Sequence, residues 1–469
     1  MKDNICSAQT PTTCGSSILD GFRSPFAADV VRRIEEAGGI VSGTTNLDEF
    51  GMGSDSLNST HGPVRNSFSE RLSAGGSSGG SAVAVATNQC FAALGTDTGG
   101  SVRLPASYNG IVGFKPSYGF LSRWGLIAYA NSLDTVGIMG KKVGDVRQLY
   151  VALKDTKRDN DPTSLSQDLG SRIMSNVSGG QGDGEGKRLR IGVPIEYNTA
   201  ELMPSVRTAW IRTLNLLQSA GHLIYPTSLP TTRLALSAYY VLAPAEASSN
   251  LARYDGVRYG KKSQTQRPST KSAAQSEHPE LLKELQLSSP PHAGEKFSPL
   301  YSYTRGDGLG DEVRRRILLG AYSLSAGAID NYFIQAQKVR RKVQQDFNSV
   351  FRAANPLIDT HPPMDKNTDV SSSVKVDFIL TPTAQSLAPE IDTIRQRDPV
   401  DTYSADVLTV PASLAGLPAI SVPVPLGEEV PGSDVATTTG MQIIGQVGTD
   451  EEVLDAAETM ERIFDSNPI

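Results

Sequence analysis

Short β-branched runs alternate with segments of helical periodicity along this 469-residue chain, and that alternation predicts an α/β fold. The periodicity predicts helices over 28–37 and 204–220, and β-branched runs predict strands at 40–42 and 189–193. After Asp311 a long helical stretch follows, in which Tyr332, Ala336, Val339, Val343, Phe347 and Val350 recur every three or four residues and predict one buried stripe. Later strands are expected at 378–380, 419–424 and 441–444, with a closing helix over 451–464. The Ser/Gly-rich run 164–186 and the polar run 261–299 offer little to bury, and a shorter run of the same kind spans 427–440. They read as surface insertions or disordered loops within a single domain covering 1–469.

Composition removes several classes of function. A formal net charge of −6 gives no large attraction to nucleic acid or anionic lipid, so a role on RNA needs a partner that supplies the basic surface. Cys6, Cys14 and Cys90 form no CxxC pair and predict free thiols in a reducing compartment. His61, His222, His278, His292 and His361 show neither HxxxH nor HxH spacing, so no metal site is expected. The sequence holds no uninterrupted apolar stretch of membrane-spanning length, and residues 1–5 lack the apolar core of a signal peptide.

The densest signal is chemical. Gly75-Gly76-Ser77-Ser78-Gly79-Gly80-Ser81 leads into a small apolar helix start at 82–86, and a second run, DTGGSVRLP, spans 97–105. Glycines permit positive φ angles and close backbone approach, so that several N–H groups can converge on one developing oxyanion. Thr98, Gly99, Gly100 and Ser101 are the candidates for that role. A phosphate-binding P-loop would end in Gly-Lys-Ser/Thr, which is absent. Gly76, Ser78 and Gly80 also fit GxSxG, but that motif requires a later histidine, and the last one, His361, lies in a Pro-rich turn with over a hundred residues still to come. A serine nucleophile without histidine needs another base, and a lysine made neutral by burial can serve.

The spacing Lys2, Ser77, Ser101, with GGSSGG and DTGGSVRLPA, resembles the amidase signature family over nearly the whole chain. The resemblance implies that family's fold, a central twisted mixed sheet with helices on both faces. It implies a Ser-Ser-Lys centre in which Lys2 is the base, Ser77 bridges through a cis peptide bond, and Ser101 is the nucleophile. Lys2 must then sit in a buried, cation-poor pocket. Members of the family carry several dozen residues before the lysine, including a strand that leads into it. The chain therefore reads as N-terminally truncated, with a transit peptide lost and Lys2 poorly anchored.

Within the family, NLDEF at 46–50, Met52-Gly53-Ser54, NLARYDGVRYG at 250–260, QKVR at 337–340 and DVLTVPASLAGLPAISVP at 406–423 resemble the glutaminase subunits of tRNA-dependent amidotransferases. That branch implies a glutamine-hydrolysing amidotransferase, a carbon–nitrogen ligase taking its amido group from glutamine. Residues matching Arg340 and Asp406 bind the glutamine backbone there, a cation for the carboxylate and an anion for the ammonium; Tyr259 lines the pocket. No cofactor is expected in this chain. The implied partners are a tRNA-binding, kinase-like subunit that uses ATP and Mg²⁺, a small accessory subunit, and Glu-tRNA(Gln) reached through the tRNA-binding partner. Insertions longer than in typical bacterial members imply a fungal-type protein of the mitochondrial matrix rather than a bacterial cytoplasmic one. Asp55 stands where the family carries a small hydroxyl residue and adds a charge beside the presumed pocket. The alternatives are a scaffold subunit without catalysis and a stand-alone amidase of another substrate class.

Overall fold

The structure is a computed structural model that describes residues 1–154, 160–165, 188–262, 302–358, 374–426 and 438–467. Its strands are β1 (Ala92–Asp97), β2 (Val112–Lys115), β3 (Thr135–Gly140), β4 (Arg190–Pro194), β5 (Leu223–Thr227), β6 (Phe378–Pro382), β7 (Ala419–Pro425) and β8 (Thr438–Ile444). They form one mixed sheet in the order β1-β3-β2-β7-β8-β6-β4-β5. β4 runs parallel to both β5 and β6, while the other neighbouring pairs are antiparallel. The helices that matter for the site are α1 (Asp29–Glu36), α2 (Gly79–Ala86), α3 (Arg103–Tyr108), α4 (Val143–Leu153), α5 (Pro204–Ser219), α6 (Ala235–Leu251), α7 (Asp311–Ser323), α8 (Phe333–Val350), α9 (Val410–Ala415) and α10 (Asp450–Ser466).

Helices cover both faces, as consecutive residues of β2 make plain. Side chains alternate across a strand. A Cβ built on Gly113 would lie 2.5 Å from Ala106 Cβ on α3, whereas the ring of Phe114 meets Tyr150 of α4 edge-on at 5.4 Å on the other face. The α3 face is floored with glycine. Gly95 of β1 and Gly137 of β3 are register partners, and Cβ atoms there would come within 2.9 and 2.7 Å of Val102 Cγ2. Gly113 would likewise meet the Val102 carbonyl at 2.8 Å. Three neighbouring strands thus surrender their side chains at one spot, and the start of α3 settles directly on the sheet.

Two expectations need correction. Residues 40–42 form no strand: Ile40 is 91% exposed, and the only pairing nearby is a single bridge between Lys2 and Thr45. A short apolar run makes a strand only where a neighbour completes its ladder. The helical stretch after Asp311 is also two helices, broken where turns from Tyr322 to Ser325 and from Ser325 to Ala328 redirect the chain. Tyr332 therefore precedes α8 and is exposed, while Ala336, Val343, Phe347 and Val350 form the buried stripe, with Val339 half-buried. Most of the runs 164–186, 261–299 and 427–440 lies outside the described residues; Thr438, Thr439 and Gly440 open β8.

Candidate active site

The chain leaves β1 at Asp97, turns through Thr98, Gly99, Gly100 and Ser101, and enters α3 at Arg103. This turn is tied down on every side. Asp97 accepts from the backbone N–H of Val102 at 3.2 Å and from Arg103 Nε at 3.0 Å, and its other oxygen accepts from Arg103 Nη2 at 2.8 Å. Both side chains are sealed from solvent. Burial pushes the Asp97 carboxyl up, but the charge and hydrogen bonds of Arg103 outweigh it and hold the group below its ordinary value. Arg103 also donates to Thr409 O, Gln442 Oε1 and Ser413 Oγ, which fastens the turn to α9 and β8. Thr98 Oγ1 donates to Asp134 at 2.7 Å, and Thr409 Oγ1 donates to Gly99 O at 2.7 Å.

Two glycines in the turn have no substitute. A Cβ on Gly100, where φ is +150°, would strike Thr409 Oγ1 at 2.2 Å, and one on Gly99 would meet the Tyr239 ring at 2.7 Å. Among the described residues, none of the backbone N–H groups from Thr98 to Ser101 has an intramolecular acceptor. A row of fixed, unspent donors beside a serine is what a developing negative charge on oxygen requires.

Lys2 approaches from the edge of the sheet. Its N–H donates to Leu94 O of β1 at 3.0 Å, and the flanking backbone bonds Asp3 N to Thr45 O and Thr45 N to Met1 O. Lys2 is therefore firmly held, contrary to the expectation of loose anchoring, and its side chain is 0% exposed. Nζ donates to Ser77 Oγ at 2.7 Å, to Thr96 Oγ1 at 2.9 Å and to Thr96 O at 3.3 Å. Burial drives the ammonium down to about 8, although the charges facing it, Asp48, Asp97 and Asp134 among them, are anionic and favour protonation. Ser77 follows a cis peptide bond from Gly76, and the next residue, Ser78, donates its N–H to Ser101 O at 3.1 Å. The structure thus brings Lys2, Ser77 and the Ser101 turn into one buried cluster, Ser101 being 9% exposed.

Next to the turn lies a buried polar cluster. Asp406 Oδ1 stands 3.4 Å from where a Gly100 Cβ would be, and Oδ2 accepts from Ser54 Oγ at 2.7 Å and from Tyr240 OH at 3.2 Å. Burial raises this carboxyl to about 6. The cation at this end is Arg316, which sequence reasoning passed over. It is 3% exposed, donates to Glu312 and to Tyr129 OH, and lies 5.3 Å from the ring centres of Tyr240 and Tyr403. Its Nη2 has no hydrogen-bond partner among the described residues.

The other two proposed substrate contacts have these surroundings. Arg340 of α8 directs its guanidinium to Leu414 O and to both oxygens of Ser132, so it braces the segment carrying Asp134. Tyr259 is 55% exposed on the turn after α6. Its neighbour Tyr254 packs at 5.1 Å on Phe50, beside Gly51, whose Cβ position lies 3.6 Å from Ser77 Oγ.

This fold, with a serine turn over a glycine floor and a sealed lysine on a second serine, defines an amidase. Residues 1–454 match the family described as Amidase, and the chain belongs to that family. It is similar to fungal proteins named as the A subunit of mitochondrial glutamyl-tRNA(Gln) amidotransferase. That of Coccidioides posadasii is 53% identical over 469 residues, 99% of this chain and 88% of the relative. That of Emericella nidulans is 53% identical over 475 residues, 98% of this chain and 88% of the relative. The crystal structure of the A subunit of glutamyl-tRNA(Gln) amidotransferase from Thermotoga maritima superposes with a TM-score of 0.70 at 35% identity, covering 99% of this chain and 82% of that one. Among the described residues no helix is long and apolar enough to cross a membrane.

Proposed function

We propose that this chain is the glutamine-hydrolysing subunit of a mitochondrial glutamyl-tRNA(Gln) amidotransferase. The observation that carries the chemistry is the 2.7 Å hydrogen bond between Ser77 and a sealed lysine whose proton affinity is lowered toward neutrality. Ser101 Oγ attacks the side-chain amide carbon of glutamine as its proton passes to Ser77, whose own proton passes to neutral Lys2. The oxyanion forms against the unspent N–H groups of the 98–101 turn. Return of the proton through Ser77 to the amide nitrogen releases ammonia and leaves an acyl-enzyme on Ser101. Water, activated by the same pair, then cleaves the ester to glutamate and restores Ser101.

Asp406 takes the α-ammonium, and Arg316 is the buried cation at the same end that suits the α-carboxylate. Arg340, whose guanidinium also holds Ser132, is the second cation we assign to the α-carboxylate, and Tyr259 is assigned to the pocket lining. With its net negative charge, the chain relies on a tRNA-binding, kinase-like partner and a small accessory subunit; the kinase-like partner uses ATP and Mg²⁺ to activate the glutamate of Glu-tRNA(Gln). The fungal relatives' names support a mitochondrial site of action, here the matrix. The test is Ser101→Ala in the co-expressed complex. Loss of glutamine-dependent tRNA amidation with ammonia-dependent amidation intact is expected; unchanged glutamine-dependent amidation would make the chain a scaffold.

A further inference from the structure

Asp55 is the feature of the 52–59 loop that the reaction above leaves unused. It is 8% exposed, and among the described residues its carboxyl makes no hydrogen bond or ion pair. The backbone around it is fixed. Asp55 O accepts from Ser73 Oγ at 2.8 Å, Ser56 N–H donates to Asp48 at 2.8 Å, and Ser54 Oγ donates to Asp406 at 2.7 Å. Asp55 thus sits between the residue bonded to Asp406 and the residue bonded to Asp48, close enough for both charges to act on its carboxyl; Tyr108 of α3 and the exposed Arg397 act on it as well. Burial first, then the charges of Asp48 and Asp406, raise it to about 7.

A buried carboxylate with no partner is costly to keep, and it is tolerated where a ligand completes it. Asp48 is already satisfied by the backbone N–H groups of Ser56 and Asn58, and Asp406 faces the Ser101 turn. The unmet need at Asp55 is for a small cation delivered to the Asp406 end of the pocket. Resting on the glutaminase reading, we propose that Asp55 is a specificity residue. With Asp406 it forms a two-carboxylate seat for the α-ammonium of the substrate, so that the site favours a free amino acid over the same amide lacking its amine.

The experiment compares wild type, Asp55→Asn and Asp55→Ser in the co-expressed complex, measuring ammonia release from glutamine and from glutaramate, its des-amino analogue. Both variants remove the charge. Asp55→Asn keeps the shape, and Asp55→Ser installs the small hydroxyl of the family pattern. Loss of one charge-assisted contact raises KM for glutamine about tenfold, with kcat within about twofold. The preference for glutamine over glutaramate in kcat/KM falls by about the same factor. The thermal midpoint does not drop, because the carboxyl has no partner to lose, and a purely structural group would show the opposite pattern. An unchanged preference with Ser101-dependent turnover overturns this inference alone. Absence of Ser101-dependent turnover in the wild-type complex overturns the glutaminase reading and this inference with it.

Discussion

Arg103→Met tests whether the Asp97–Arg103 pair holds the Ser101 turn. The substitution keeps much of the side-chain volume but removes two hydrogen bonds to Asp97 and one each to Thr409 O, Gln442 and Ser413. Asp97 would keep the backbone N–H groups of Val102 at 3.2 Å and of residue 103 at 3.4 Å and a long contact from Ser413 at 3.4 Å, but no charged partner in contact with it. Breaking a buried ion pair on one side costs about 4 kcal/mol. With an unfolding entropy of roughly 2 cal/mol/K per residue over 469 residues, about 1 kcal/mol/K in all, the melting temperature falls by about 4 °C. Glutaminase turnover falls with it, because the donors of the turn are no longer fixed.

The effect has a defined pH dependence. In the native protein Asp97 is held below its ordinary value of 3.8, so its contribution is present above that value and is lost as pH falls through the folded-state value. In Arg103→Met the largest charge opposing burial is gone, leaving Lys115 and the backbone N–H of Val102 against it, and Asp97 moves up from its native value. The destabilisation is then full at high pH and shrinks as the carboxyl takes up a proton. Calorimetry between pH 5 and pH 8 should show the gap to wild type narrowing toward acid, and Asp97→Asn added to Arg103→Met should recover part of the loss. A drop under about 1 °C with normal turnover would refute the reasoning.

Lys2 must be neutral to accept a proton, so kcat/KM for glutamine should rise with pH through an apparent value near 8, measured as ammonia release; a flat profile across that range counts against Lys2 as the base. Gly137→Val would drive a side chain into Val102 and the Phe114 carbonyl, and should cost about 2 kcal/mol in stability together with turnover, read by thermal melting and ammonia release; full tolerance would show that the glycine floor is not needed. Thr409→Val removes the hydrogen bond to Gly99 O and should cost about 1 kcal/mol in stability with about a tenfold fall in kcat, measured by the same two assays.

The strands that periodicity exposed, β4, β6, β7 and β8, each hold a short stretch rich in apolar and β-branched residues, with β6 buried at every residue. β1, β2 and β3 were not read from the pattern, and each carries one of the glycines, Gly95, Gly113 and Gly137, on which Val102 rests. β5 was obscured by Pro226 and its partial exposure, both suited to the end of a sheet. Lys2, Ser77 and Ser101 were legible only as a spaced motif, since nothing about a lysine at position 2 announces burial. Arg316 was hidden in an Arg-Arg-Arg run. Its neighbours Arg314 and Arg315 are 46% and 42% exposed, and only the three-dimensional packing singles out the third.

The reach of Arg103 bears on when activity can arise. Its contacts to Thr409, Ser413 and Gln442 span 306, 310 and 339 residues, whereas both serines sit in the first quarter of the chain. On the ribosome, a nascent polypeptide carrying Lys2, Ser77 and Ser101 still lacks the clamp that shapes their turn until the last strand of the sheet has emerged and docked. A chain cut short before Gln442 therefore lacks part of the clamp, and glutamine hydrolysis waits for the complete chain to fold, wherever that folding takes place.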